Sequence, residues 1–92
     1  MLNIFFKIAA ANYEFVHQGH CADGWTGPNS KQVTTLDCKK ECESRPNVGY
    51  FAYSTSKTCA CYLSKPGCPD DNMHNDHKAY RILEERGRKY KF

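Results

Sequence analysis

Four of the six cysteines lie in the stretch 37–63, in two pairs whose spacing suits disulfide chemistry. Cys38 and Cys42 are four residues apart, so on a helix they would share one face, about 6 Å apart along the axis. Cys59 and Cys61 are two residues apart, so on a strand they would share one face, about 6.6 Å apart. Because the two spacings nearly match, we expect a helix laid across a sheet to carry two adjacent disulfides into one strand.

The even cysteine count in this short chain indicates three disulfides and hence an oxidising, extracytoplasmic compartment. Zinc is the alternative, but structural zinc sites favour CxxC-like or Cys/His pairs, which the CxxxC and CxC spacings fit poorly. A chain of 92 residues forms one domain with a small core, which disulfides commonly reinforce. No apolar run approaches the roughly 18 residues that a transmembrane helix needs.

Histidines could bind a metal, and two HxxH pairs occur, at His17 and His20 and at His74 and His77. The second pair lies in the segment DDNMHNDH, which is rich in oxygen and nitrogen ligands but matches no calcium or zinc template. We therefore interpret this segment as a hydrated loop without a bound metal; the alternative is a metal ion bound by its histidines or oxygen ligands. We expect no cofactor.

Signals of catalysis are weak. The carboxylate pairs Asp70-Asp71 and Glu84-Glu85 lie in polar stretches, so we interpret both as solvated surface. The sequence has no P-loop and no serine in a nucleophile elbow, and the even cysteine count argues against a free thiol nucleophile. The sequence therefore predicts a protein without enzymatic activity.

Hydrophobic periodicity predicts an α+β domain around these cysteines. A helix is expected from Thr34 or Thr35 to about Ser44, because a threonine can cap its first turn and Pro46 disfavours its continuation. This helix has few apolar residues apart from its cysteines, so its disulfides must dock it on the sheet. Strands are expected at 3–8, 13–18, 48–54, 58–63 and 78–83, with polar loops at 22–32 and 64–77.

Aromatic residues are more numerous than a disulfide-reinforced core of this size requires. Tyrosine and tryptophan combine an apolar ring with a hydrogen-bonding group, which suits them to interfaces. The candidate ligand-binding residues are Trp25, Tyr50, Tyr53, Tyr62 and Tyr80. Trp25 lies among turn-forming residues, where its ring would cover the core as a lid or, alternatively, stand exposed as a platform for a ligand.

The two ends of the chain differ from the near-neutral domain between them. Residues 1–85 carry nine Lys/Arg and ten Asp/Glu, a net charge of −1, whereas 86–92 carry four positive charges and no negative one. We interpret the apolar segment 1–12 and the basic, aromatic tail 86–92 as partner-contact segments that flank a domain at 13–85. The candidate contact residues are Ile4, Phe6, Ile8, Arg86, Arg88, Lys89, Tyr90, Lys91 and Phe92.

The opening segment MLNIFFKIAAAN has an apolar run and an Ala-x-Ala motif, which are features of a secretory signal. Lys7 interrupts the run, and no basic residue precedes it. We therefore interpret this segment as mature chain or as the start of a fragment, so the route of export is not evident from it.

The order of cysteines and aromatic patches resembles a family of extracellular modules. The pattern runs Y-x-F, G-x-C, C-x3-C on the predicted helix, G-Y-F-A-Y, C-x-C-Y-L and A-Y-R-I. It is similar to the PAN/apple superfamily and to the related WSC modules. The segments GHCADGW, VGYFAY, CACYL and GCPDDN with AYRI look most like PAN-like domains of uncharacterised algal and protist proteins, and the resemblance covers about 13–83.

The resemblance implies a small, disulfide-stapled, curved antiparallel sheet with one helix packed across it. Carried over to this chain, it implies the disulfides Cys21–Cys68, Cys38–Cys61 and Cys42–Cys59. Many PAN domains have a cysteine where this chain has Val48 and Gly49, so the pairing between the CxxxC and CxC cysteines stays open. Members of the family bind proteins or carbohydrates and share no activity, so the fold does not fix the ligand.

The sequence thus predicts a non-enzymatic, extracytoplasmic binding module for protein or carbohydrate ligands. The alternative is a structural subunit of a filament, a homo-oligomer or a larger complex, whose two ends pack into its neighbours. A strand added to the sheet edge of a neighbour is a known mode of such association. Nucleic acid is not an expected partner, because the disulfides indicate an oxidising compartment.

Overall fold

The structure is a computed structural model that describes residues 12–83. These residues form a five-stranded antiparallel sheet with one helix packed on one face. The elements are β1 (Tyr13–Gln18), β2 (Ser30–Lys31), α1 (Thr35–Glu43), β3 (Val48–Ser54), β4 (Thr58–Leu63) and β5 (His77–Ile82). The strands follow one another across the sheet as β1-β5-β3-β4-β2, and α1 packs on β3 and β4.

The predicted α+β class is confirmed, and β1, β3 and β4 span the residues that periodicity predicts. β5 begins one residue earlier than expected, at His77. β2 lies in a segment that the sequence predicts as loop, and its residues Ser30 and Lys31 pair with β4. A strand of two residues is too short to show a hydrophobic periodicity, so only its pairing with β4 identifies it.

Several predicted features lie outside the described residues. They are the strand at 3–8, the last two residues of the domain proposed at 13–85, which form the carboxylate pair Glu84-Glu85, and the contact residues Ile4, Phe6, Ile8, Arg86, Arg88, Lys89, Tyr90, Lys91 and Phe92. The interpretation of the two end segments therefore stays a prediction.

The helix begins where the sequence predicts. Thr34 Oγ1 accepts a hydrogen bond of 3.1 Å from the backbone N–H of Asp37, whose carboxylate in the first turn also suits the helix dipole. The buried residues of α1 are Cys38, Lys39 and Cys42. The helix therefore lacks an apolar stripe, and its two disulfides attach it to the sheet, as expected.

The sheet face that carries α1 has a core built around Phe51. This side chain is fully buried, and its ring stacks on Tyr80 and meets the edge of Tyr13, with centroids 5.0 and 5.5 Å away. The remaining buried members of this core are the disulfide-bonded cysteines Cys38, Cys42, Cys59 and Cys61. Sulfur thus replaces much of the aliphatic packing that an ordinary helix would supply.

The opposite face has a second, smaller core. Ala52, Ala60 and Ala79 lie side by side on β3, β4 and β5 and are buried together with Tyr62 and Cys21. Three adjacent alanines leave room for the segments around Cys21 to pack closely on the sheet.

All six cysteines are bonded in three intramolecular disulfides, which confirms the expectation from their even number. The bridge Cys21–Cys68 agrees with the pairing that the family resemblance implies. The other two implied pairs, Cys38–Cys61 and Cys42–Cys59, are wrong, because the structure has Cys38–Cys59 and Cys42–Cys61. The physical reason is direction: the first cysteine of α1 lies over the first cysteine of β4, at Cα distances of 5.5 and 5.3 Å for the two bridges.

Candidate functional site

The structure separates the five candidate aromatic residues into different environments. Tyr62 is only 2% exposed, so its burial in the core corrects the prediction that it contacts a ligand. Trp25 is 58% exposed, so its ring does not cover the core as a lid. Tyr50 is half-buried against the alanine-rich core. Tyr53 and Tyr80 are also half-buried, and these two residues lie together.

Tyr53 and Tyr80 line an open groove of about 190 Å³ beside the first turn of α1, which we call the tyrosine groove. β5 lies between β1 and β3, so the sheet order brings their side chains together here. At one end, the Gln18 side-chain amide donates to the carbonyls of Asn75 and His77, at 2.8 and 3.1 Å. The other residues of the groove are Thr35, Ser54, Thr55, Asp76 and Lys78.

The groove combines a fixed aromatic wall with charged and hydroxyl groups. The phenol of Tyr53 donates a 2.6 Å hydrogen bond to the carbonyl of Gln32, which holds the ring in place. The pKa of Asp76 is lowered, chiefly because the His77 ring hydrogen-bonds to its carboxylate, so Asp76 is negative at neutral pH. Lys78 supplies an exposed ammonium group. Such a surface can hydrogen-bond a hydroxyl-rich ligand while an aromatic ring packs on its apolar face.

Trp25 forms a separate aromatic surface outside the groove. Its indole N–H donates a 2.8 Å hydrogen bond to Asn29 Oδ1. The ring lies against Gly27, where a Cβ atom would stand 2.1 Å from ring carbons, so this approach requires glycine. The backbone of Trp25 forms an isolated bridge with Tyr62. The indole is thus exposed but held in one orientation.

A second group of polar residues gathers at the start of β5, on the opposite face of the sheet from the groove residue Lys78. His20, His74, His77 and Asp71 form what we call the histidine cluster. The rings of His20 and His74 are parallel with centroids 4.1 Å apart, and His20 meets His77 edge-on at 4.0 Å. Asp71 Oδ2 lies 2.7 Å from His74 Nδ1 and 3.8 Å from His20 Nδ1.

Long-range connections bring this cluster together. Gly19 N–H donates to the carbonyl of His77 at 2.7 Å, and the neighbouring Cys21 is bonded to Cys68. Spacing in the sequence does not connect the two HxxH pairs. The implied bridge Cys21–Cys68 is the signal that could place one histidine pair near the other, because Cys21 directly follows His20.

The interpretation of 70–77 as a hydrated loop is wrong for two of its residues. The side chain of Asp71 is 8% exposed and His77 is 8% exposed as a residue. Asp70 is exposed, as expected. The backbone N–H groups of Asn72 and Met73 donate to the carboxylates of the two aspartates, so this segment is an ordered pair of turns.

The cluster perturbs the pKa values of two of its members. Burial alone would raise the pKa of Asp71, but hydrogen bonds from Met73 N–H, the His74 ring and His20 N–H outweigh it and lower the pKa. Burial, together with the neighbouring His77 and His74, lowers the pKa of His20 to about 4. At neutral pH, a neutral imidazole therefore lies beside a buried carboxylate.

His17, the remaining histidine, lies outside the cluster. Its Nε2 is 2.9 Å from the carbonyl of Cys68, and its Nδ1 is 3.0 Å from that of Gln18. Burial acts to lower the pKa of His17, but these two carbonyls and the nearby aspartates raise it on balance. Its role is therefore to join β1 to the segment around Cys68.

No helix in the described range 12–83 combines the length and apolar character needed to cross a membrane. Comparisons of the chain with protein-family models, curated proteins and solved structures found no match. The resemblance to PAN/apple modules therefore stays a prediction.

Proposed function

We propose that the chain is a non-enzymatic, extracytoplasmic binding module whose ligand is a carbohydrate bound in the tyrosine groove. The observation that carries this proposal is the composition of the groove, in which two tyrosine rings adjoin hydroxyl, amide, carboxylate and ammonium groups. Carbohydrates offer complementary chemistry, because their C–H faces pack on aromatic rings and their hydroxyls both donate and accept hydrogen bonds.

The character of the groove favours a carbohydrate over a protein ligand. Stable protein interfaces are broad and bury about 800 Å² on each partner, whereas this groove is small, with a volume of about 190 Å³. Lys78 and Asp76 are both exposed there, so charged or polar substituents of a sugar would meet partners of both signs. Specificity would come from these hydrogen bonds, and binding area from Tyr53 and Tyr80.

Two further observations support an extracytoplasmic location and the resemblance to PAN/apple modules. Three disulfides in 92 residues are typical of proteins from an oxidising compartment. One helix on an antiparallel sheet, with the bridge Cys21–Cys68, agrees with what the resemblance to PAN/apple modules implies. The pairs Cys38–Cys59 and Cys42–Cys61 depart from that implied pattern.

The proposal is tested by screening the disulfide-bonded chain on an array of immobilised glycans. We expect saturable binding to a subset of glycans. Lys78→Ala should weaken that binding by about tenfold or more, because it removes a charge-assisted hydrogen bond. Lys40→Ala is the matched control, since Lys40 is an exposed lysine on α1 that does not line the groove. Absence of binding to every glycan, or equal losses in the two variants, would contradict the proposal.

One observation favours the alternative function, a structural subunit. Among the described residues, β1 pairs with β5 alone and lies at the edge of the sheet, where Phe15 is 55% and Val16 is 38% exposed. An exposed edge strand with apolar side chains is a surface to which a second copy could add a strand. Sizing under non-reducing conditions tests this: oligomers that Phe15→Lys abolishes would support it, and a monomer at all concentrations would contradict it.

A further inference from the structure

The histidine cluster has ligand atoms close enough to surround one ion. The ligand atoms of His20, Asp71 and His74 all lie within 4.8 Å of one another. Zinc binds nitrogen and oxygen ligands at about 2.0–2.2 Å in a tetrahedral arrangement, which places the ligand atoms roughly 3.3–3.6 Å apart. The 2.7 Å separation between Asp71 Oδ2 and His74 Nδ1 must open and the longer separations must close to reach that range, which needs movements on the order of 1 Å that side-chain rotation can supply.

Two buried ring nitrogens in the cluster have no hydrogen-bond partner. They are Nε2 of His20 and Nε2 of His77, among the residues that the structure describes. A buried polar atom without a partner is unusual and calls for an explanation, such as the capacity to bind an ion. The His77 side chain is 10% exposed, and its ring lies edge-on to His20, with the two centroids 4.0 Å apart.

The surroundings of His77 match those of a metal-binding histidine. Its Nδ1 is 3.1 Å from Asp76 Oδ1, so the carboxylate accepts the Nδ1 proton and leaves the lone pair on Nε2. Histidines that bind metals commonly have a carboxylate on the second ring nitrogen, which fixes the tautomer and the orientation of the ring. Because this hydrogen bond occupies Nδ1 of His77, Nε2 is the nitrogen of that ring left without a partner.

We propose that His20, Asp71 and His74 bind one divalent transition-metal ion, with zinc as the expected occupant, and that the His77 ring moves closer to supply the fourth ligand. Three imidazoles and one carboxylate are the ligands that zinc and its neighbours in the first transition row accept. Calcium and magnesium prefer sites built of oxygen ligands, which this cluster does not offer. The site differs from the tyrosine groove, and its existence does not depend on the proposed carbohydrate binding.

The test uses the full chain with its disulfides intact, treated with chelator and then titrated with zinc chloride in a calorimeter. The proposal predicts one equivalent of bound zinc, a higher melting temperature with zinc, and neither effect with calcium chloride. His74→Gln should weaken zinc binding by about tenfold or more, since ligand-shell changes cost that much. This variant is preferred because the His74 side chain is 44% exposed, so the fold should tolerate it.

His17→Gln is the matched control, because His17 belongs to an HxxH pair but lies outside the cluster. It should bind zinc as tightly as the unchanged chain. His20→Gln should also lose zinc binding, provided that this variant folds. If His20→Gln does not fold, the result for His74→Gln alone decides. No saturable zinc binding, equal binding of calcium, or an equal loss in His17→Gln and His74→Gln would overturn the proposal.

Discussion

The sulfur of Cys42 lies 3.7 Å from the sulfur of Cys59, although the two are not bonded to each other. They are neighbours because four residues of a helix and two residues of a strand advance by nearly the same length. Spacing alone therefore allows either pairing of the four cysteines. The direction of α1 decides between them, since it carries Cys38 over Cys59 and Cys42 over Cys61.

Pairs of serine substitutions test this pairing. Cys42→Ser with Cys61→Ser removes one native bridge and should leave no free thiol. Cys42→Ser with Cys59→Ser should leave Cys38 and Cys61 without their native partners, either as two thiols or in a non-native bond. Alkylation without reductant, followed by mass spectrometry with fragmentation, distinguishes the two outcomes. The reverse result would mean that the implied pairs Cys38–Cys61 and Cys42–Cys59 are correct.

The same variants should differ in stability from the unchanged chain. Cys42 and Cys61 are 19 residues apart, so loss of their bridge should lower the free energy of unfolding by about 3 kcal/mol. That is a large share of the roughly 5–15 kcal/mol that small domains hold. Urea unfolding of the Cys42→Ser, Cys61→Ser variant measures the loss, and a change below about 1 kcal/mol would contradict a docking role for this bridge.

Phe51 should contribute more to stability than any exposed aromatic residue. Phe51→Ala should lower the free energy of unfolding by about 3–5 kcal/mol, because it opens a cavity between Tyr80 and Tyr13. Phe15→Ala is the matched control. Because Phe15 is 55% exposed, this substitution should lower the free energy of unfolding much less. Equal losses in the two variants, measured by urea unfolding, would mean that this core is described incorrectly.

The first turn of α1 should depend on the Thr34 hydroxyl. Thr34→Ala removes the acceptor for Asp37 N–H and should lower the free energy of unfolding by about 1 kcal/mol. Thr34→Ser keeps an acceptor in that position and should restore most of the loss. If the serine and alanine variants are equally destabilised in urea, the cap is not the cause.

Tyr62 should make the protein less stable at alkaline pH. Burial, and next the charge of Asp71, raise the pKa of Tyr62 to about 12, while an unfolded tyrosine titrates near pH 10. Because the folded state favours the neutral phenol, this stabilisation is complete below about pH 10 and is lost as the pH rises through 12. The full loss is at most about 2–3 kcal/mol.

Urea unfolding of the unchanged chain and of Tyr62→Phe at several pH values between 9 and 12 measures this contribution. The phenylalanine variant should lose less stability over the interval, since it has no phenol to ionise. If both proteins lose stability in parallel, the pKa of Tyr62 is not raised in the folded state.

The parts of the fold that sequence predicts well depend on local pattern. Alternating residues define β3 and β4, and Thr34 with Pro46 sets the limits of α1. β2 depends instead on pairing with β4, which a local pattern cannot reveal. Alternation also assigns neighbouring residues of a strand to opposite faces without showing which face is covered, so it does not predict the burial of Tyr62.

The candidate sites were less predictable, because each joins distant segments. The tyrosine groove combines residues of β1, α1, β3 and β5, and its two tyrosines were predicted to bind ligand without being predicted to line one groove. The histidine cluster joins His20 to His74 and His77 across most of the chain. Neither arrangement follows from spacing, since both depend on sheet order and on the Cys21–Cys68 bridge.

The most direct test of carbohydrate binding in the tyrosine groove is an NMR titration of the ¹⁵N-labelled chain with the glycan that binds best on the array. Our account predicts saturable shifts of the backbone amides of Thr55, Asp76 and Lys78, and no comparable shift of the Trp25 indole N–H. The chain has a single tryptophan, so its indole signal is unambiguous. Shifts centred on that indole signal, or amide shifts absent from the groove, would contradict the account.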